Sequence, residues 1–155
     1  GIAAGAGANI ALACDIVLAG RSAAFIQGVS KIGLVPDSGG TWNLPRLVGR
    51  ARAMGLAMLN SKIPAEQALQ WGMIWQVVDD EKLMDEAMAV ATHLAGQPTK
   101  GLGLTKQAIN AAGGSSLEAQ LERERELQTI AGRSADYREG VAAFLGKRAP
   151  EFTGE

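Results

Sequence analysis

The chain has 155 residues, of which 47% are hydrophobic and 20% are charged, and its formal net charge is −1 at pH 7. A chain of this size and balance buries a core, and it has no electrostatic reason to bind nucleic acid or an anionic membrane. One cysteine excludes a disulfide scaffold and a Cys-rich zinc site, and the absence of an apolar span or secretion signal predicts a soluble, cytoplasmic protein.

The first segment is rich in glycine and reads GIAAGAGANIALACD. It predicts a turn that runs into an apolar helix from about Gly5 to Cys14, and Cys14 is expected to be a small buried hydrophobe. Because this motif-dense segment begins at Gly1 and not at Met, we expect the chain to begin inside a larger protein.

Two short apolar runs follow, residues 15–20 and residues 24–26, and each predicts a buried strand. The next segment, residues 33–40, is predicted to be a loop because Pro36, Gly39 and Gly40 interrupt it.

The remainder of the chain is predicted to be mostly helical, with one further strand. Its elements are helix 50–59, helix 65–71 ending at Gly72, strand 74–78, a helix capped by Asp80, helix 101–111, a helix with the Ser115–Glu118 capping box, and a last helix from Ser134 to about Lys147. Strands therefore come early and helices late. The sequence predicts an α/β protein with a first part, residues 1–80, and a helical second part, residues 81–155.

The glycine-rich opening does not match a dinucleotide-binding fingerprint, because Ile10 stands where the third glycine would be. Two interpretations remain open for Gly5–Ile10. The glycines could allow tight packing of the helix against other backbone, or the helix N-terminus could present free N–H groups to an anion or a developing oxyanion.

Asp37 lies between Pro36 and Ser38 in the predicted loop, and it also has two interpretations. It could cap the following helix, or it could act as a general base. The apolar neighbours predict desolvation, which would raise the pKa of the Asp37 carboxyl towards the range useful for a base; they are Ile32, Leu34, Val35 and Trp42. No other carboxylate lies between Asp15 and Asp37, so a mechanism with two carboxylates has little local support.

Three other polar features have simpler interpretations. His93 has no partner at metal-ligand spacing, and we expect no metal site. The charged run Glu122–Glu126 is expected to be a solvated helix face. Lys147 and Arg148 could form surface ion pairs or bind a phosphate.

Taken together, five blocks of the chain resemble the crotonase (enoyl-CoA hydratase/isomerase) superfamily in their order and spacing. The blocks are residues 1–15, 31–41, 44–49, 65–72 and 138–148. The resemblance implies a crotonase-like spiral of β-β-α units followed by a helical C-terminal trimerisation region, and a homotrimer or hexamer. It also implies that the chain corresponds to the C-terminal part of a longer family member.

The same resemblance implies site residues. The backbone N–H of Ala6, in the turn formed with Gly5 and Gly7, would be the second oxyanion-hole donor, and the first would come from the part that precedes this chain. Asp37 matches the single aspartate of several isomerase branches. Further substrate contacts are implied for Asn9, Val29, Pro36 and Lys147, the last at a CoA phosphate.

Hydratases of the family have glutamates where Asn9 and Val29 stand, so the resemblance disfavours hydration by two glutamates. The narrower likeness is to the branch that converts ring-1,2-epoxyphenylacetyl-CoA to oxepin-CoA in phenylacetate catabolism. It implies an acyl-CoA thioester as substrate and no cofactor, since coenzyme A is part of that substrate.

Three alternatives remain open at this point. The chain could belong to a Δ3,Δ2-enoyl-CoA isomerase or hydratase-like enzyme of fatty-acid oxidation, or Asp37 could act as a nucleophile, as in aroyl-CoA dehalogenases. Outside the enzymes, the chain could be a truncated fragment that binds CoA esters without turnover.

Overall fold

The computed structural model describes residues 1–155, which form two compact units, Gly1–Met88 and Ala89–Glu155. The boundary lies inside a helix and later in the chain than the division predicted after residue 80.

The first unit contains all five strands and the first helices. In chain order these are β1 (Ile2–Ala4), α1 (Ala6–Leu12), β2 (Leu18–Gly20), β3 (Ala24–Ile26), a 3₁₀ turn (Val29–Ile32), α2 (Gly40–Leu59), β4 (Ile63–Pro64), α3 (Ala65–Gln70), β5 (Gln76–Val78), a second 3₁₀ turn (Asp80–Lys82) and the start of α4 (Leu83–Ala95). The early strands and late helices agree with the predicted α/β class.

The strands form two small sheets. In the first, β3 lies between β1, to which it is parallel, and β4, to which it is antiparallel. In the second, β2 pairs in parallel with β5. Strand β1 was not predicted, because its three residues read as part of the glycine-rich turn. They become a strand because β3, more than twenty residues later in the chain, supplies the backbone partners.

The core of the first unit combines alanines with larger apolar side chains. Ala8, Ala65 and Ala68 are completely buried, and larger side chains fill the space between them. The larger core members include Leu12, Phe25, Leu44, Val48, Leu56, Ile63, Met73 and Ile74. Alanine at these positions lets the helices and strands approach closely, and the larger side chains remove apolar surface from water.

Helix α2 is longer than predicted, since it begins at Gly40 and the sequence predicts only residues 50–59. Gly49 interrupts it with φ 77° and ψ 161°. These angles are outside the helical region and favour glycine, so α2 consists of two helical segments joined at this residue.

Two predicted helix caps are wrong, and two predicted helix-end signals are confirmed. Asp80 does not cap α4, because its carboxylate accepts the N–H of Ser22 at 3.0 Å. Ser116, and not Ser115, caps the helix Leu117–Ala131 by accepting the N–H of Ala119. The cap by Ser134 is confirmed. Gly72, which follows α3, has the expected positive φ of 71°.

The second unit is helical, as predicted. After the end of α4 it contains α5 (Thr99–Ala112), α6 (Leu117–Ala131) and α7 (Ala135–Leu145). Helix α5 packs against α6. The charged run Glu122–Glu126 is exposed, as expected, and includes an ion pair between Arg125 and Glu122. None of the helices is both long and apolar enough to cross a membrane.

The prediction for Cys14 is wrong. Its thiol is exposed and donates a weak hydrogen bond to the carbonyl of Ile10 at 3.8 Å. Helix α1 ends at Leu12, so Cys14 follows the helix and does not belong to its buried face.

Candidate active site

The turn before α1 is built around Gly5, which has φ 51° and ψ −124°. Its N–H donates to the carbonyl of Ile26 at 2.9 Å, which extends the pairing of β1 with β3 by one hydrogen bond. The first bond inside the helix is donated by Asn9 N–H to Gly5 O at 3.1 Å. The N–H groups of residues 6–8 therefore have no acceptor within the helix, as expected at a helix N-terminus.

Gly5 and Val29 are brought together by this turn. A Cβ added at Gly5 would lie 3.2 Å from Val29 Cγ1, so the site requires glycine both for the backbone conformation and for the contact. Gly7 differs, because it is exposed and an added Cβ there would touch nothing.

Asn9 connects α1 to the loop that carries Asp37. Its Nδ2 donates to the backbone carbonyl of Asp37 at 3.0 Å, and its Oδ1 accepts from Gln27 Nε2 at 2.9 Å. Asn9 and Ala6 are three residues apart on α1, so they share one face of the helix. The structure thus fastens the Asp37 loop within one helical turn of the predicted oxyanion donor.

The predicted burial of Asp37 is wrong for this chain. Asp37 is exposed, and its carboxylate accepts a hydrogen bond from the Ser38 hydroxyl at 3.3 Å. The neighbours that were expected to desolvate it are exposed as well, by 59% to 77% for Ile32, Leu34 and Val35 and by 63% for Trp42. An apolar sequence neighbourhood buries a carboxylate only where other parts of the protein cover it, and these side chains are not covered in this chain.

The structure gives no support to the substrate contact predicted for Asn9. Its side chain is buried, with 1% exposed, and its amide contacts the protein interior. Sequence reasoning did not single out its partner Gln27, which is also buried, although it lies just two positions before Val29. The sequence signal that could have identified Gln27 is its position as a polar residue directly after a buried strand.

Pro36 borders an apolar cavity of about 370 Å³ in the first unit. The cavity also contacts Gly40 and side chains of α2, among them Leu44, Ala53 and Met54. This volume lies in the range of small-molecule sites, about 300–1,000 Å³. The cavity therefore lies next to the loop that carries Asp37.

A larger cavity, about 840 Å³, lies in the second unit and includes none of the predicted site residues. The carboxylate on its wall, Asp136, is occupied by the N–H groups of Thr153 and Gly154 at 2.7 and 2.9 Å. We therefore place the candidate site at the Asp37 loop. No cluster of three or more His, Cys, Asp or Glu side chains that could hold a metal ion is present.

Lys147 and Arg148 differ in their surroundings. Arg148 forms two hydrogen bonds of 2.6 and 2.8 Å with the Glu139 carboxylate, and this contact, together with the N–H of Glu151, lowers the pKa of Glu139 to about 2. The ion-pair interpretation thus holds for Arg148. Lys147 is exposed and has a positive φ of 49°, and its predicted contact with a CoA phosphate stays a prediction.

The comparison with known proteins gives a consistent result. A family model described as enoyl-CoA hydratase/isomerase matches residues 1–155. The chain is 65% identical over 155 residues to 1,2-epoxyphenylacetyl-CoA isomerase of Escherichia coli, covering 100% of this chain and 59% of the relative. It is 53% identical over 154 residues to a "Probable enoyl-CoA hydratase" of Rhodobacter capsulatus, covering 99% of this chain and 60% of the relative.

A solved structure of an enoyl-CoA hydratase from Polaromonas sp. JS666 superposes with a TM-score of 0.94 at 38% identity. The match covers 99% of this chain and 60% of that one. The chain thus spans about three fifths of the length of the relatives it matches.

Proposed function

We propose that this chain, which belongs to the enoyl-CoA hydratase/isomerase family, is part of an enzyme that isomerises a CoA thioester through an enolate. The observation that carries the proposal is the hydrogen bond from Asn9 to the Asp37 carbonyl. It ties a loop with an ionisable carboxylate to the face of α1 that begins with free N–H groups.

The chemistry requires both the carboxylate and the N–H donors. A thioester α-proton is too weakly acidic for a carboxylate to remove unless the negative charge that develops on the thioester oxygen is stabilised. Losing one preorganised oxyanion donor typically costs about 10²–10³ in rate, and a positioned general base contributes about 10²–10⁴.

In the proposed reaction, the Asp37 carboxylate removes a proton from C2, and the C–H electron pair becomes an enolate. The N–H of Ala6 donates to the enolate oxygen. For the epoxide, the ring C–C bond that carries the epoxide breaks while both C–O bonds remain, which gives the seven-membered oxepin ring; for an enoyl chain, the double bond shifts. In both cases the proton that Asp37 holds returns to another carbon. Substrate and product are therefore isomers, and no redox cofactor or metal is needed.

The proposed substrate is ring-1,2-epoxyphenylacetyl-CoA, which would be converted to oxepin-CoA in phenylacetate catabolism. The identity of 65% with the E. coli 1,2-epoxyphenylacetyl-CoA isomerase supports this choice. Asn9 and Val29 also support isomerisation, because neither side chain can replace the carboxylates with which family hydratases activate water.

A second candidate is a Δ3,Δ2-enoyl-CoA isomerase or hydratase-like enzyme that acts on fatty acyl chains. The relative of R. capsulatus, with its hydratase name, favours it, and a single base could also shift a double bond along a chain. Assays with both substrate classes separate the two, since the first proposal requires the higher kcat/KM for the epoxide.

The test is Asp37→Asn in the protein that carries this chain. We expect turnover to fall by about a thousandfold, within the range of a lost general base. Calorimetric titration with a CoA ester should show an unchanged Kd. The matched control is Asp85→Asn, which changes an exposed aspartate in α4 and should leave turnover unchanged.

Near-normal turnover of Asp37→Asn would contradict the role of Asp37. Binding of CoA esters by the parent protein without turnover of either substrate class would instead favour the non-catalytic alternative. Trapping of a covalent aryl-enzyme adduct would favour a nucleophilic Asp37.

The remaining parts of the proposal concern CoA binding and assembly. Lys147 would contact a CoA phosphate, so Lys147→Glu should raise the KM for CoA esters and leave kcat largely unchanged. The family likeness supports a homotrimer or hexamer, and light scattering after size exclusion would measure the mass directly. A monomeric mass would overturn that part.

A further inference from the structure

We propose that Asn9 and Gln27 are positioning residues, whose buried amides form a relay that holds the Asp37 loop at its working distance from α1. This inference rests on the proposed function, because it assumes that Asp37 is the base. It concerns how the base is placed and not which bond it breaks.

The orientation of both amides follows from chemistry. A backbone carbonyl can only accept, so the Asn9 group that lies 3.0 Å from Asp37 O must be its NH₂. Asn9 Oδ1 then faces Gln27, which must present its own NH₂ at 2.9 Å. The relay therefore runs in one direction, from Gln27 through Asn9 to Asp37.

The fold leaves space for this relay at the start of α2. A Cβ added at Gly40 would lie 2.7 Å from Asn9 Oδ1 and closer still to Nδ2, so any larger residue would displace the amide. The N–H of Gly40 also donates to Asp37 O, at 2.8 Å. Both acceptor positions of the Asp37 carbonyl are thus filled, one from α1 and one from α2.

The hydrogen bonds to the Asp37 backbone carbonyl matter because few other contacts fix the position of the Asp37 carboxylate. The Asp37 side chain is exposed, and its carboxylate accepts a hydrogen bond from the Ser38 hydroxyl at 3.3 Å. The amide that donates to the Asp37 carbonyl is buried, since Asn9 is 1% exposed, so water does not readily take its place as the donor. A change in this bond would move the carboxylate relative to the oxyanion donor, and displacements of about 1 Å can cost about 10² in rate.

The experiment uses two variants at Asn9 in the protein that carries this chain. Asn9→Asp keeps the shape and the acceptor for Gln27 but loses the donor to Asp37, and Asn9→Ala removes both. We expect kcat to fall by about 10- to 100-fold in both variants, with KM for the CoA ester changed by less than about twofold. A purely structural role would lower the fraction of folded protein and leave kcat per folded molecule unchanged, so thermal unfolding is measured alongside.

Gln27→Ala tests the second step of the relay. It should lower kcat less than Asn9→Ala does, because Asn9 keeps its bond to Asp37. The double variant should be no worse than Asn9→Ala alone, since Gln27 acts through Asn9. Additive losses would overturn the relay.

The matched control is Gln120→Ala. Gln120 Nε2 donates to the backbone carbonyl of Ala108 at 3.0 Å, which is the same kind of bond at a position in α6. This variant should keep the parent kcat.

The outcomes separate the two proposals. Loss of activity in Asp37→Asn together with parent kcat in both Asn9 variants would overturn the positioning role alone. Parent activity in Asp37→Asn would overturn the proposed function, and the positioning role with it.

Discussion

The unit Gly1–Met88 and the unit Ala89–Glu155 both bury polar side chains, but they use them for different tasks. In the first unit, the amides of Asn9 and Gln27 hold an internal loop. In the second, the carboxylate of Asp136 holds the chain at Thr153 and Gly154. A neutral amide can donate and accept at once and so link two elements, whereas a carboxylate can only gather donors.

The apolar cores of the two units also differ. The first unit holds a continuous cluster that joins helices and strands. In the second, Leu127 and Ala143 are the buried hydrophobic residues, and many apolar side chains on its helices are exposed. Apolar burial therefore contributes much more to the stability of the first unit than to that of the second.

The strongest test of this comparison is a pair of leucine truncations. Leu44→Ala should lower the free energy of unfolding by about 2–5 kcal/mol, because Leu44 is only 3% exposed and lies inside the core. Leu121→Ala should cost less than about 0.5 kcal/mol, because Leu121 is 55% exposed on α6. Equilibrium urea unfolding measures both, and an equal loss at the two positions would contradict the comparison.

The next test addresses the carboxylate of the second unit. Asp136→Asn should cost about 1–3 kcal/mol, because the new NH₂ group would face a backbone N–H that Asp136 now satisfies. Asp85→Asn is the control, since Asp85 also lies in the first turn of a helix but is exposed. Asp85→Asn should lower the free energy of unfolding by no more than about 1 kcal/mol. Similar losses for both variants would show that helix charge, and not the hydrogen bonds to Thr153 and Gly154, explains the effect.

Two glycine substitutions should change the stability of the protein in opposite directions. Gly40→Ala should destabilise the protein by about 1–3 kcal/mol, because the new methyl group would collide with the buried Asn9 amide. Gly103→Ala should stabilise it by about 0.5–1 kcal/mol, because Gly103 is exposed inside α5 and an added Cβ meets nothing. Thermal unfolding of both variants checks the signs, and a stabilising Gly40→Ala would be incompatible with the amide contact.

The smallest effect is expected from Glu139→Gln, which breaks an exposed ion pair. Hydrogen bonds from Arg148 and from the N–H of Glu151 lower the pKa of Glu139 from 4.5 to about 2. A lowered pKa in the folded state stabilises the protein above about pH 4.5, and this contribution is lost as the pH falls towards 2.

The unfolding midpoint of Glu139→Gln should therefore lie below that of the parent at pH 7, and the two should converge near pH 2. Glu124→Gln, at an exposed position in α6, serves as the control. A difference that persists unchanged to pH 2 would rule out the ion pair as its origin.

Much of the fold could be predicted from local signals. The Ser134 cap, the positive φ of Gly72 and the strand at Ala24–Ile26 depend on residues close together in the sequence. The family likeness rests on the order of whole motifs and was equally visible. Strand β1 was missed because its pairing partner lies far along the chain.

The candidate site was predicted in part. The sequence identified Asp37 and the turn at Gly5–Gly7, and the structure links them through Asn9. It did not identify Gln27, because a single glutamine after a strand carries no chemical signature of its own. It also misjudged the exposure of Asp37, since burial depends on which segments cover a loop and not on its neighbours in sequence.

The amino-acid sequence by itself determined the order of the elements, several helix ends and the membership of a family, because propensities, capping and motif spacing act over a few residues or survive as patterns. Only the tertiary structure decided that the buried Asn9 side chain bonds both to Gln27 and to the Asp37 carbonyl, and that the Asp37 side chain remains exposed. Hydrogen bonds and burial between residues 18 and 28 positions apart form only when the strands and helices that carry them pack together.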